Sequence, residues 1–349
     1  MSSDFSALLN GLLNGQSLSE EQAHGLMHKL AAGDMPDALA GAFLAGLRAK
    51  GESADELRGF ATAMRELAVH PVIPDGAPTV DTVGTGGDGS GSLNLSTGAG
   101  LLAAAAGARV VKHGNRSISS RSGSADVLEC LGMPLPLHAA EAVACLEATR
   151  FTFLFAPAYH PAMKAIMPVR GALAVRTVFN MLGPLTNPAA PPFQLIGAWS
   201  LDAARLMASA LAGMPIERAF VVHGEPGWDE ATPVGEFALF DVVSGNVTET
   251  TRSPEDYGLK RCSPEDLAGG DARHNADELI RVFNGDDKGA HRDALLMGTS
   301  LVLEVQGTAS DPRQGVEIAA AAIDNGDAAS LLERMRQHFG SYRSTQADE

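Results

Sequence analysis

The chain has 349 residues, 45% of them hydrophobic, and a formal net charge of −16. This length supports a large core and predicts two domains, and the acidic balance argues against a general binder of nucleic acid or of anionic membranes. Cys130, Cys145 and Cys262 are too far apart for a disulfide framework or a C-x-x-C metal pair. With no signal peptide and no apolar run long enough for a membrane span, we expect a reducing, cytoplasmic location and no membrane partner.

The first 70 residues are predicted to be helical. In SADELRGFATAMRELAV the apolar residues recur at helical spacing, and Ser53 with Glu56 forms a capping box. SLSEEQAHGLMHKLAAGD begins with helix-start chemistry and ends on Gly33. The Pro-rich stretch HPVIPDGAP, residues 70–78, predicts a connector that serves as a hinge.

The pattern then changes to alternating strands and helices. TVDTV is a short strand, GTGGDGSGS a loop, LSTGAGLLAAAAGA a helix of small residues, and RVVKH the next strand. FTFLFAP, FQLIGAW and RAFVVHG continue the alternation, which predicts an α/β domain. The residues after 341 are predicted to fray.

The loop GTGGDG at residues 84–89 fits the G-x-G-x-x-G pattern of dinucleotide sites. A dinucleotide site needs an acidic residue after the second strand, but Lys112, Arg116 and Arg121 stand there, with five serines nearby. A basic residue at this point could bind the extra phosphate of NADP, so the charge alone does not exclude a dinucleotide site. The density of donors across residues 112–124 favours a ligand with several phosphates.

Two further features fit a phosphate ligand held with a metal. Asn94, Ser96 and Thr97 lie at a predicted helix start, where the helix dipole favours anions. Asp229 and Glu230 follow the apolar strand AFVVHG and the turn EPGW, which predicts two carboxylates at a strand end. Carboxylate and hydroxyl oxygens are the ligands that magnesium prefers.

Several long motifs in this chain resemble those of the anthranilate phosphoribosyltransferase family, in the same order and over nearly the whole length. They are DTVGTGGDGS, NLST, KHGNRSISSRSGSADVLE, FLFAPAYHPAMK, PVRGALAVRTVFNMLGPLTNP and VVHGEPGWDE. The chain departs from the family pattern at Leu93, in GALAV after Arg170, and at Trp228 and Ala231 beside the acidic pair.

The resemblance implies a fold shared with nucleoside phosphorylases: a small N-terminal helical domain and a larger α/β domain with a mostly parallel central sheet. The helical domain would comprise residues 1–72 with a returning segment at about 165–190, and it would form a homodimer. The α/β domain would span residues 73–341, and residues 342–349 would be a flexible tail.

The resemblance also implies a reaction. The 5-phosphoribosyl group of 5-phosphoribosyl 1-diphosphate (PRPP) would pass to the amine of anthranilate, giving N-(5-phosphoribosyl)anthranilate and diphosphate in the second step of tryptophan synthesis from chorismate. Mg²⁺ would be required, two ions per subunit. Association with a separate anthranilate synthase is a further expectation, and no nucleic-acid partner is expected.

Site residues follow from the matching motifs. No side chain is assigned acid–base catalysis, and Lys112 with magnesium would stabilise charge. The residues implied to bind PRPP are Gly84, Gly87, Asp88, Ser92, Asn94, Leu95, Ser96, Thr97, Lys112, His113, Gly114, Asn115, Arg116, Ser117, Ile118, Ser119, Ser120 and Ser124. Those implied to meet anthranilate are Gly84, Asn115, Tyr159, His160 and Arg170, and those implied to bind magnesium are Ser96, Asp229 and Glu230.

Two other functions stay open from the sequence alone. A related phosphoribosyltransferase or a pyrimidine phosphorylase would share the fold but use another acceptor; the acidic pair favours a magnesium diphosphate donor over inorganic phosphate. A non-catalytic relative that binds nucleic acid would need a basic surface and a degraded metal loop, whereas this chain is acidic and keeps Asp229 and Glu230.

Overall fold

The secondary structure follows the predicted order, with helices first and alternating strands and helices after residue 78. The computed structural model describes residues 2–116 and 121–346, and the side chains of 5–116 and 121–340. The helices are α1 Ser2–Leu13, α2 Glu20–Ala32, α3 Asp37–Lys50, α4 Ala54–Glu66, α5 Leu95–Ala105, α6 Ser124–Leu131, α7 Ala139–Thr149, α8 Ala156–Tyr159, α9 Met163–Leu173, α10 Phe179–Leu185, α11 Leu201–Leu211, α12 Ala272–Phe283, α13 Ala290–Val305, α14 Pro312–Asp324 and α15 Asp327–Gln346. The strands are β1 Thr79–Gly84, β2 Arg109–Gly114, β3 Phe151–Phe155, β4 Phe193–Gly197, β5 Arg218–Gly224, β6 Phe237–Val243 and β7 Asn246–Arg252.

Local sequence chemistry sets the limits of the N-terminal helices. Ser19 and Ser53 both form capping boxes. In each, the serine hydroxyl accepts from the backbone N–H of the third helical residue, and the side chain of that residue, Gln22 or Glu56, accepts from the serine N–H. Gly33 ends α2 with a φ of 70°, a conformation that glycine adopts without steric cost. The predicted caps of α2 and α4 are therefore present in the structure.

Helices α2 and α4 cross in close contact at Gly59. A methyl group added at this position would lie 2.8 Å from the Ala23 Cβ and 2.9 Å from the His24 nitrogen, and it would overlap the Glu20 carbonyl oxygen. The crossing distance therefore requires glycine at this position.

Gly59→Ala is expected to lower the free energy of unfolding by about 1–3 kcal/mol, because backbone atoms of α2 must move to admit the methyl group. Gly25→Ala on the exposed face of α2 is the matched control, since its added methyl meets no atom within 4 Å. It should be neutral or stabilise by about 0.5–1 kcal/mol. Chemical denaturation compares the two; equal midpoints would contradict the packing at this crossing.

The described residues form one sheet in the order β3-β2-β1-β4-β5-β6-β7. The first five of these strands are parallel, and β6 and β7 are antiparallel additions at one edge. The chain builds outward from β1 to β3 and then returns to the other side of β1 with β4. This reversal makes a topological switch point between β1 and β4, where open α/β sheets bind ligands at the carboxyl ends of the strands.

Hydrophobic cores cover both faces of the sheet. Val80 and Phe220 belong to a core with the helices of the α/β region, whereas Val83 and Val221 share a core with Phe60 of α4. Helix α9 packs on α2 and α3, and α10 packs on α4, so the segment predicted to return does contact the N-terminal helices. The domain boundary at residue 72 and the hinge stay predictions. Helix α4 also packs on α11, and the two helices share one continuous buried core.

At the C-terminus α15 extends to Gln346, so residues 342–346 are helical, and the predicted flexibility of the tail stays a prediction. Along the described ranges, no helix combines the length and apolar character needed to cross a membrane.

Candidate active site

Glycines end four neighbouring strands at the carboxyl edge of the sheet. These are Gly84 of β1, Gly114 of β2, Gly197 of β4 and Gly224 of β5. A methyl group at Gly84 would lie 2.5 Å from Asp229 Oδ2, and at Gly197 it would lie 2.6 Å from the Asp229 carbonyl carbon. Only strands that end without side chains let the loop that carries Asp229 lie directly across the switch point.

The glycine loop between β1 and α5 wraps around the Asp229 carboxylate. Gly86, Gly87 and Gly89 all have positive φ between 67° and 75°, which turns successive backbone groups into a tight loop. The Gly86 N–H donates to Asp229 Oδ2 at 2.5 Å, and the Asp229 N–H donates to Asp88 Oδ2 at 3.2 Å. GTGGDG is therefore part of an acidic pocket, which does not fit the dinucleotide interpretation.

Asp229 and Glu230 are held against the start of α5. Glu230 Oε1 accepts from the Ser96 N–H at 3.2 Å, while Asp229 is buried beneath the glycine loop. Burial is the main cause that raises the pKa of both carboxyls; Asp88 adds to the rise for Asp229, and Asp229 adds to it for Glu230. A cation stabilises carboxylates that are clustered in this way, and their hard oxygens with the Ser96 hydroxyl fit magnesium.

Lys112 is a buried cation at the base of this pocket. Its ammonium donates to the Thr82 carbonyl oxygen and to Ser96 Oγ, the latter at 3.3 Å, and the side chain is 1% exposed. Burial lowers the pKa of Lys112, while the charges of Asp81, Glu230 and Asp229 oppose that shift. The structure thus brings together Lys112, Ser96 and the acidic pair, as the resemblance implied.

The start of α5 presents its polar side chains and buries its apolar ones. Ser92, Asn94 and Ser96 are partly exposed, whereas Leu95 and Thr97 are buried. The Asn94 side chain is bonded to the Ser122 carbonyl at 3.3 Å and accepts from Asn275 at 2.7 Å. Leu95 and Thr97 are therefore left to contribute backbone groups of the first helical turn. The family departure Leu93 is buried in the core, as are Trp228 and Ala231.

The turn after β2 is exposed and polar. Asn115 accepts from the Arg116 N–H at 2.7 Å, and Ser124 begins α6. Arg116 makes ion pairs with Asp126 at 2.7 Å and with Glu129 at 2.6 Å, so a phosphate would have to compete with two carboxylates for it. The predicted ligand residues Ser117, Ile118, Ser119 and Ser120 lie outside the described residues.

His113 and His160 form a buried pair with ring centroids 5.1 Å apart. His113 Nδ1 is 3.1 Å from the Gly183 carbonyl, while its Nε2 and both nitrogens of His160 have no hydrogen-bond partner within the described residues. Burial lowers the pKa of His113 to about 3 and that of His160 to about 4. Both imidazoles are therefore neutral at pH 7, and neither supplies a positive charge.

Tyr159, which the resemblance implied to meet the acceptor, is buried in the structure. Its side chain is 1% exposed and belongs to the core of the α/β region. The hydroxyl donates to the Leu137 carbonyl oxygen at 3.1 Å, and the Tyr159 carbonyl accepts from the Val69 N–H. The Tyr159 side chain thus packs in the core with its hydroxyl bonded to the backbone, and its contact with the acceptor stays a prediction.

Arg170 on α9 is a cation with no carboxylate partner among the side chains of residues 5–116 and 121–340. Its guanidinium lies 5.2 Å from the centroid of the Phe179 ring, and burial lowers its pKa. Arg176, six residues on, donates to the Gly87 carbonyl oxygen and lies 4.7 Å over the Trp199 ring. Arg176 therefore ties the segment that carries Arg170 to the glycine loop.

Asp81 and Asn187 are functional neighbours that sequence reasoning missed. Asp81 is fully buried in β1, and it accepts from Asn187 Nδ2 at 2.8 Å and from the His113 N–H at 3.2 Å. Burial raises the pKa of Asp81 to about 6, against the opposing charge of Lys112. A polar residue in the middle of the apolar strand TVDTV was the signal for this site.

The switch-point pocket and the helical bundle define a class of transferase. Residues 76–329 match the family model for the a/b domain of the glycosyl transferase family, and residues 6–68 match the model for its helical bundle domain. An anthranilate phosphoribosyltransferase from Rubrobacter xylanophilus is 44% identical over 92% of this chain and 93% of its own. The chain belongs to the anthranilate phosphoribosyltransferase family.

Solved structures agree with this membership. The anthranilate phosphoribosyltransferase of Thermus thermophilus superposes with a TM-score of 0.88 at 41% identity, over 95% of this chain and 98% of its own. That of Saccharomyces cerevisiae in complex with PRPP and Mg superposes with a TM-score of 0.89 at 25% identity, over 98% and 99% of the two chains. The predicted fold class, a small helical domain with a larger, mostly parallel α/β domain, is confirmed.

Proposed function

We propose that the protein transfers the 5-phosphoribosyl group of PRPP to the amine of anthranilate, releasing diphosphate, in the synthesis of tryptophan. The observation that carries this proposal is the pocket at the β1–β4 switch point. There Asp88, Asp229 and Glu230 converge, the Gly86 N–H and the Ser96 N–H hold two of the three carboxylates, and Lys112 adds a buried positive charge.

The chemistry requires a site that stabilises departing negative charge. As the bond from C1′ to diphosphate breaks, the ribosyl carbon gains positive character and the leaving oxygens gain negative charge. Ser96, Asp229 and Glu230 would hold magnesium, which would supply positive charge to stabilise the leaving diphosphate. Lys112 and the N–H groups of the α5 start orient and stabilise the same oxygens without a proton transfer.

A requirement for two magnesium ions per subunit is a finer part of the proposal. Asp88 supports it, because this third carboxylate lies next to Asp229 and is not needed to complete a single site. Magnesium keeps several of its waters, so two ions can share three carboxylates. The donor's 5-phosphate is assigned to the run from Lys112 to Ser120 together with Ser124, the first residue of α6.

The acceptor is assigned to the side of the pocket that faces α9. Anthranilate carries a carboxylate and a neutral aromatic amine, so it needs a cation for recognition and no strong base for activation. Arg170 is stacked on Phe179 with its guanidinium free of any carboxylate in the described parts of the chain. His160, neutral and buried, and Asn115 with Gly84 complete the proposed acceptor contacts.

Arg170→Ala is expected to raise the KM for anthranilate by about 10–100-fold with a much smaller change in the KM for PRPP, because a charge-assisted contact to a carboxylate is lost. Lys164→Ala is the matched control, since it removes an exposed cation from the same helix. Steady-state kinetics with each substrate varied in turn measure both constants. Equal weakening of both substrates would remove Arg170 from the acceptor site.

The assembly is the remaining part of the proposal. A homodimer through the helical region is supported by the exposed apolar side chains of Leu13 and Met167, on α1 and α9, and of Val175 just beyond α9. Association with a separate anthranilate synthase and a cytoplasmic location stay predictions.

A further inference from the structure

Two histidines and a glutamate converge on the surface of the helical region, away from the catalytic pocket. His24 and His28 lie one turn apart on α2, and Glu66 is the last residue of α4. Glu66 Oε2 is 2.8 Å from His24 Nε2 and 3.1 Å from His28 Nε2. Both rings therefore turn their Nε2 atoms toward the same carboxylate oxygen, and the two ring centroids are 4.6 Å apart.

This arrangement has the donor set and the spacing of a transition-metal site. Histidines at positions i and i+4 lie on one face of a helix and can ligate one ion together. Ligands about 2.0 Å from a tetrahedral zinc are about 3.3 Å apart, so small side-chain movements convert the observed hydrogen bonds into ligation.

The three side chains are open to solvent on one side. Exposed fractions are 33% for His24, 37% for His28 and 51% for Glu66, so an ion has access and water can complete its coordination. Magnesium and calcium prefer sites made only of oxygen, whereas two imidazoles and a carboxylate suit Zn²⁺ and its first-row neighbours.

We propose that His24, His28 and Glu66 bind one divalent transition-metal ion of the Zn²⁺ class, which links α2 to the end of α4. The ion would lie beside the close crossing at Gly59 and at the end of α4, a few residues before the connector at residues 70–78. Its role is structural: it fixes the end of α4, from which the chain leaves the helical region. It takes no part in phosphoribosyl transfer.

A second group of ligand-type side chains provides a natural control. The ligand atoms of Glu278, Asp287 and His291 all lie within 4.8 Å of one another. Here His291 Nδ1 is 3.9 Å and 3.7 Å from the two carboxylates, and Glu278 is already paired with Arg281 at 3.1 Å. This group offers one imidazole and a carboxylate neutralised by a cation, so it is a poorer zinc site.

Zinc binding to the purified full chain tests the proposal by isothermal titration calorimetry, with magnesium in large excess to occupy the acidic pocket. The wild type and His291→Gln are expected to bind one more equivalent of Zn²⁺ than the double variant His24→Gln/His28→Gln. Thermal unfolding gives a second readout: zinc should raise the Tm of the wild type by about 2 °C or more and leave that of the double variant unchanged.

Phosphoribosyl transfer by the double variant should equal that of the wild type, which also shows that the variant is folded. Glu66→Gln is expected to weaken zinc binding at least tenfold with the same retained activity. Equal zinc stoichiometry and affinity in the wild type and the double variant would overturn the proposal, as would loss of the extra equivalent in His291→Gln instead.

Discussion

Asp229→Asn is expected to raise the magnesium concentration for half-maximal turnover by about 10–100-fold, the size of effect seen when a metal site loses a carboxylate contact. Asparagine keeps the size of the side chain and an oxygen that accepts from the Gly86 N–H, so the glycine loop should keep its shape. The change removes a negative charge from the three-carboxylate cluster without opening a cavity.

A magnesium titration of the initial rate at saturating substrates measures this effect. Asp202→Asn is the control, since that carboxylate is 99% exposed on α11 and its removal should leave the titration unchanged. An unaltered magnesium titration for Asp229→Asn would place Asp229 outside the metal site.

Lys112→Met is expected to lower kcat by about 10²–10³-fold, the loss typical of removing one preorganised charge from a transition state that develops negative charge. Methionine fills much of the buried volume but cannot donate to Ser96 or Thr82. Affinity for PRPP, measured by calorimetry, should fall as well, because the diphosphate loses a cation.

A variant of Asp81 tests whether Lys112 acts in catalysis or only by pairing inside the fold. Asp81 is the buried carboxylate whose charge acts on Lys112, and Asp81→Asn removes that charge while keeping a side chain of the same size. Asp81→Asn should lower the Tm and keep most of the turnover. If Asp81→Asn loses as much kcat as Lys112→Met, then Lys112 acts only by pairing inside the fold.

The donor side of the site could be predicted from the sequence because its chemistry is local. The glycine loop, the polar start of α5 and the pair Asp229–Glu230 each follow a strand, and parallel strands bring their carboxyl ends to one edge. Their positions after strands predicted that they lie at one edge of the sheet, and the family resemblance implied that they share one site.

The remaining features depend on packing that no local pattern shows. Whether the Tyr159 hydroxyl faces a ligand or the Leu137 carbonyl depends on where α8 sits on the core. The two carboxylates that hold Arg116 lie 10 and 13 residues further along, on α6. The sequence indicates only that Gly197 and Gly224 lie at strand ends. The structure shows that the Asp229–Glu230 segment packs against both glycines.

The measurement that tests the proposed reaction most directly is the fluorescence of anthranilate in the presence of the purified protein and PRPP, with and without magnesium. We expect a loss of anthranilate fluorescence that requires both PRPP and magnesium and that is matched by release of diphosphate. Unchanged fluorescence from a folded protein that binds PRPP with magnesium would contradict the assignment of anthranilate as the acceptor.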